Sequence, residues 1–215
     1  MDALSLFLTF ITSLMLGMRH ATDPDHIVAV TTIVARERSV VKAAGIGALW
    51  GAGHTSTLLL VGGAIIAFKV VFNARLGLSL ELCVAIMLIV LGLLNLFDFR
   101  AKSGAPSASR PFLVGVVHGL AGSAAAALLI VPLIDDPRWA ALYLLTFGLG
   151  TIVGMTIVTL TIAAPSLLAT AHLPSLQRSL RVTSGAVSLV FGLYLAHKIG
   201  FANGLFTSDP RWTPE

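Results

Sequence analysis

Charge is what this chain has least of. Asp, Glu, Lys and Arg make up 11% of its 215 positions, where a soluble domain of this size carries roughly a quarter. A surface so poor in charge cannot all face water, so a soluble globular fold is excluded. Cysteine is nearly absent too. The one residue, Cys83, leaves neither a disulfide framework nor a thiolate metal cluster. Its place in an apolar run predicts a buried, inert thiol. The N-terminal stretch from Met1 to Gly17 has no basic n-region, and its hydrophobicity continues past any plausible cleavage site. It reads as a first membrane helix rather than a removed signal peptide. No ATP-binding signature is found, so energy is expected from the membrane potential or from ion coupling.

What is present is apolar: 56% of residues are hydrophobic and the mean hydropathy is +0.92. The net charge of +4 and pI near 9.7 would point to nucleic acid in a soluble protein. Here the basic residues sit in short loops between apolar runs, where the positive-inside rule accounts for them, and no nucleic-acid partner is expected. A bilayer core of about 30 Å takes about 20 apolar residues per helix, and the runs predict an all-α integral membrane bundle of about six transmembrane helices in a single domain over 1–215. They extend from Ala3 to Ala35, Ala43 to Val71, Leu78 to Phe97, Pro111 to Ile134, Trp139 to Ala164 and Ser184 to Ile199. The first would be about 50 Å long as one helix. A kink or break is therefore expected near Pro24, with Asp23 as cap and Pro24 at the first helical position. The tail after Phe201 is mixed and is expected at the surface.

Arg36, Arg38, Lys42, Arg100, Lys102, Arg110, Arg178 and Arg181 fall on one side of these runs, against Lys69, Arg75, Arg138, Lys198 and Arg211 on the other. That bias predicts both termini outside the cytoplasm, in a prokaryotic cytoplasmic membrane. A faint internal repeat is also visible. Gly17-Met-Arg-His20 is echoed by Gly115-Val-Val-His118, Gly51-Ala-Gly-His54 by Gly148-Leu-Gly-Thr151, and Val90-Leu-Gly-Leu93 by Val190-Phe-Gly-Leu193, at offsets of 98, 97 and 100 residues. Three helices per half make such a repeat inverted, with halves 1–99 and 111–200 joined by a polar linker at 100–110. Inverted repeats with a site at their interface are a recurrent transporter plan.

The chemistry gathers where the first run is interrupted. Arg19, His20, Asp23, Asp25 and His26 lie inside a membrane span, and each charge costs roughly 2.5–3.5 kcal/mol at a helix centre. His20 with Asp23, and Asp23 with His26, are three residues apart and share a helix face. Imidazole with carboxylate suits nickel, cobalt, zinc or ferrous iron rather than calcium or magnesium. The competing reading is a purely structural network, with Arg19 paired to Asp23 or Asp25 and the histidines as satisfied polar groups. His54, central in the second run among small residues, is the next candidate ligand. His118, at the position equivalent to His20, is either a pathway ligand or a packing residue. Asn95 offers an oxygen or a cap, and Ser123 follows His118 as a pathway candidate. His172 is expected in a loop and His197 at a solvated helix end.

Arg19-His-Ala-Thr-Asp-Pro-Asp-His-Ile27 resembles the signature of the nickel/cobalt transporter (NiCoT) family. Leu49-Trp-Gly-Ala-Gly-His-Thr55 is similar to that family's following Gly-His motif, and Leu91-Gly-Leu-Leu-Asn-Leu96 to its third. His118-Gly-Leu-Ala-Gly-Ser-Ala-Ala125 resembles the short, urease-accessory UreH-like branch. The resemblance implies metal selection by His20, Asp23, Asp25 and His26, with His54 close by. Pro24 departs from it, standing where an alanine is usual. The expected function is secondary transport of Ni2+ or Co2+, without a prosthetic group and without enzymatic activity. Arg19 would balance charge, and the partners would be the ion, the lipid bilayer and either a second copy of the chain or a metallochaperone. A membrane-embedded metalloenzyme and an accessory subunit delivering metal for urease or hydrogenase maturation are the alternatives.

Overall fold

A computed structural model describes residues 3–35, 37–68, 73–97, 109–120, 130–131, 134, 136–172 and 174–212. Among them lie seven α-helices: α1 (Ala3–His20), α2 (Pro24–Val34), α3 (Val40–Phe68), α4 (Ala74–Leu96), α5 (Ser109–Gly119), α6 (Pro137–His172) and α7 (Pro174–His197). One π-helical turn, Lys198–Ala202, continues α7. No β-strand occurs among the described residues.

The expected break in the first run is real. The residue before a proline is pushed out of the helical region, and Asp23 is extended at φ −61° and ψ 145°, with Pro24 opening α2. The Asp23 side chain makes no cap hydrogen bond because His20 takes it (below). At 11 residues, α2 is about 16 Å long, too short to cross a bilayer by itself. Val40–Phe68, Ala74–Leu96, Pro137–Ala164 and Gln177–Ala202 are each long and apolar enough to cross. The protein is a helical membrane bundle.

Small residues set the packing. α1 lies on α6, α3 on both α5 and α6, and α4 on α7. A Cβ at Gly17 would crowd the Phe147 carbonyl oxygen and lie 2.9 Å from Thr151 N; one at Gly115 would crowd the Trp50 carbonyl oxygen and lie 2.9 Å from His54 N. Likewise Gly53 abuts Phe112 O, and Gly150 abuts Leu14 O. In the third helix pair, Gly92 faces Gly185 and Leu189, and Gly192 faces Ala85 and Ile89. Backbones this close leave no room for a side chain, which is how membrane helices gain packing without a hydrophobic driving force between them. Hydroxyls add to it: Thr55 Oγ1 donates to Gly148 O at 3.0 Å and Ser188 Oγ to Leu88 O at 2.8 Å. Ser13 and Thr146 also share a close hydroxyl contact between α1 and α6.

Four expectations need correction. The fourth run is not continuously helical, for α5 ends at Gly119 with a turn from Leu120 N to Val117 O. His172 closes α6 rather than lying in a loop. Cys83 is exposed on α4; in a membrane helix the lipid-facing side is as apolar as the interior, so an apolar neighbourhood does not imply burial. The described part of the tail is mostly exposed, as expected, and is tied to α4. Trp212 Nε1 donates to Glu81 Oε1 at 2.8 Å, and its ring covers Gly77 beside Leu78 and Leu205. Arg19 is exposed, and both aspartates of the first motif bind histidine instead of it. Most of the linker at 100–110, residues 100–108, and Ser123 lie outside the described residues, while Ser109 and Arg110 begin α5.

Candidate metal centre

Four histidines from four helices meet where the first run breaks. His20 is the last residue of α1, His26 lies in the first turn of α2, His54 is central in α3, and His118 is near the end of α5. His26, His54 and His118 are fully buried and His20 nearly so, at 6% exposure. The proline break allows this arrangement: α1 stops at His20, and α2 restarts with Asp25 and His26 turned into the bundle. Glycine positions the other two. Gly115 and Gly119 seat α5 directly on the α3 backbone around His54, and Thr57 Oγ1 bonds Val116 O at 3.1 Å.

The ring centroids of His26 and His118 are 4.1 Å apart, those of His20 and His26 4.7 Å, and those of His20 and His54 4.9 Å. His20 Nε2 and His54 Nε2 are 3.1 Å apart. Two groups of donor atoms each lie within 4.8 Å of one another: His20, His26 and His54, and Asp25, His26 and His118. Sequence reasoning singled out all of these residues and left His118 open; the structure brings it to the cluster.

The carboxylates fix the ring protons. Asp23 Oδ2 lies 3.0 Å from His20 Nδ1, Asp25 Oδ1 3.1 Å from His26 Nδ1, and Asp25 Oδ2 2.9 Å from His118 Nε2. An ionised carboxylate only accepts, so each of those nitrogens carries the proton and the opposite nitrogen carries the lone pair. Asp25 also accepts the His26 backbone N–H at 3.0 Å. His26 Nε2, His54 Nδ1 and His118 Nδ1 are buried and have no hydrogen-bond partner among the described residues. Buried polar atoms are nearly always paired, so three such nitrogens in one cluster mark a place built to hold something.

Two aromatic residues wall the cluster, and sequence reasoning missed both. Trp50 stacks on His26 at 5.8 Å and 18° and meets His118 edge-on at 5.5 Å; Phe147 lies 5.6 Å from His20. The available signal was position: Trp50 is one turn before His54, and Phe147 one turn before Thr151. Asn95 is buried but not at the cluster, its Nδ2 being committed to Thr32 O at 2.7 Å. His197 is exposed on Phe201.

The chain is 33% identical over 225 residues to the urease accessory protein UreH of Bacillus sp. (strain TB-90), a match covering 96% of this chain and 98% of that protein. The chain matches no protein-family model. No solved structure matches it.

Proposed function

The chain belongs to the UreH family of urease accessory proteins, and from that premise we propose that it carries a divalent transition-metal ion, Ni2+ or Co2+, through the membrane. One observation carries the proposal: four buried histidines and two carboxylates converge inside a membrane bundle, with ring nitrogens left over. His20, His26 and His54 are the ligands. Asp23 and Asp25 each hold a ring by its protonated nitrogen, the carboxylate–histidine–metal arrangement that fixes tautomer and raises basicity. A cation about 2.0–2.1 Å from each nitrogen spaces neighbouring ligands about 2.9–3.4 Å apart. The 3.1 Å between His20 Nε2 and His54 Nε2 falls in that range. Imidazole donors with no thiolate favour nickel or cobalt over Cu(I) and over hard alkaline-earth ions. The relative's designation as a urease accessory protein favours nickel, supplied to a urease partner.

The same reading gives the architecture. Exchanging equivalent positions of the two halves, 97 or 98 residues apart, carries Gly17 against Phe147 onto Gly115 against Trp50, and Gly53 against Phe112 onto Gly150 against Leu14. These paired contacts support two inverted halves, residues 1–99 and 111–200, and six crossings in which α1 and α2 count as one broken helix. Loop charge puts both termini outside the cytoplasm. Hydrolytic chemistry is disfavoured because Asp23 and Asp25 are both engaged on histidine, leaving no free carboxylate base at the cluster among the described residues.

Energy comes from the membrane potential or from ion coupling. A divalent ion gains roughly 4.6 kcal/mol per 100 mV on moving inward. The test is radioactive nickel flux into proteoliposomes with and without an imposed potential. Uptake should rise with an inside-negative potential and vanish in His26→Ala. Uptake by His26→Ala equal to the wild type would overturn the proposal.

A further inference from the structure

Asp25 and His118 have not so far been given a part in holding the ion itself. We propose that with His26 they form a second metal station, distinct from His20–His26–His54, and that His26 hands the ion from one to the other through its two ring nitrogens. The inference rests on the transport reading above and deepens it.

Geometry separates the two stations. Both triads are compact, each with donor atoms within 4.8 Å, and His26 is their shared member. His54 and His118 are the least close pair, with ring centroids 6.4 Å apart. His26 lies between them, 5.5 Å from His54 and 4.1 Å from His118. Its ring is hemmed by His20, His54, His118 and the stacked Trp50. A ring so held cannot swing to follow an ion. It can offer Nε2, which has no partner among the described residues, on one side and Nδ1, which faces Asp25, on the other.

The stations differ in charge. The first is three neutral imidazoles, which discriminate by softness and geometry. The second includes a carboxylate, which attracts a divalent cation strongly where water is scarce. On entering the second station the ion displaces the N–H protons that His26 and His118 direct at Asp25, and each ring remains neutral by carrying its proton on the opposite nitrogen. The elements differ as well. His118 stands on α5, the first helix of the second half, whereas every other donor stands on the first half. Displacing α5 from α3 therefore opens the second station while leaving the donors of the first, on α1, α2 and α3, in place.

The experiment compares equilibrium nickel binding to detergent-purified full-length protein with nickel flux in proteoliposomes, for the wild type, His54→Ala, His118→Ala and His118→Gln. Thermal unfolding is followed alongside to compare folded stability. His54→Ala should lose most equilibrium binding. Both His118 variants should keep binding close to the wild type yet lose flux by about tenfold or more, as a fall in maximal rate and not in half-saturation. Gln at 118 keeps a donor for Asp25 but supplies no imidazole, so it separates ligation from structural pairing. Wild-type flux in His118→Gln would overturn the second station, as would a loss of equilibrium binding equal to that of His54→Ala. Failure of the wild type itself to bind or move nickel would count against the transport reading instead.

Discussion

Gly115→Ala is the sharpest test of the packing, because the residue carries no donor and yet governs one. A Cβ there would lie 2.8 Å from Trp50 Cδ1 and 2.9 Å from His54 N, and closer still to the Trp50 carbonyl oxygen. Ordinary carbon–carbon contact is about 3.5–4.0 Å, so α5 must withdraw from α3 by at least about 0.7 Å. The obstructing atoms are mostly backbone and an indole packed against two histidines, and none of them can rotate away. His118 is on the same helix, one turn further on. If α5 moves as a body, the 2.9 Å bond from His118 Nε2 to Asp25 Oδ2 stretches to about 3.6 Å, at which no hydrogen bond remains. The overpacking costs about 1–3 kcal/mol, and the lost bond to a charged group about 1.5–3 kcal/mol. Thermal unfolding in detergent should show a clear drop, and nickel flux should fall although every ligand is present. Gly45→Ala and Gly63→Ala are the controls, since a Cβ at either meets nothing within 4 Å; both should behave as the wild type. A Gly115→Ala protein that unfolds with the wild type and transports normally would show that the α3–α5 contact does not position His118.

Three further outcomes follow from the site and the tail. Asp25→Asn should lower nickel flux by about 10–100-fold, more than Asp23→Asn, because Asp25 orients two rings and Asp23 one; equal losses of flux in proteoliposomes would contradict that division. Proton and metal compete for neutral imidazole, so affinity is fully present above the histidine pKa values and is lost as pH falls below them. Two ligating histidines cost up to about 2.7 kcal/mol per pH unit there, and a titration flat into the acid range would exclude them as ligands. Trp212→Phe removes the N–H that reaches Glu81 at 2.8 Å and should lower stability by about 1–2 kcal/mol with flux unchanged; wild-type thermal stability would mean that the bond contributes nothing.

The broken first helix could be read directly from the chain, because Pro24 and three charges inside an apolar run leave few alternatives. So could His20, Asp23, Asp25 and His26, whose cost in a membrane demands partners. His54 followed from depth and small neighbours. His118 could not be decided, since a lone histidine beside glycines is equally a packing residue; only the seating of α5 on α3 brings it to Asp25. Arg19 was misjudged for a related reason. Sequence proximity put a cation beside two carboxylates, but the helix ends at His20 and directs both carboxylates to imidazoles. Cys83 and Trp212 depended on which helix face meets lipid and which meets protein, and an evenly apolar helix such as α4 carries no stripe to tell the two apart.

The crossed pairing of the helices has a consequence for how the protein is made. Gly17 finds its contact at Phe147 and Thr151, so α1 has its main neighbour only after α2 to α5 have been synthesised. Until α6 emerges, α1 waits in the bilayer with a glycine face uncovered, and His20 has no Phe147 beside it. The α3–α5 contact closes earlier, and it brings His118 to His54 before α1 is locked. Chains ending before α6 would therefore hold the cluster with one wall open, and neither half could assemble it alone.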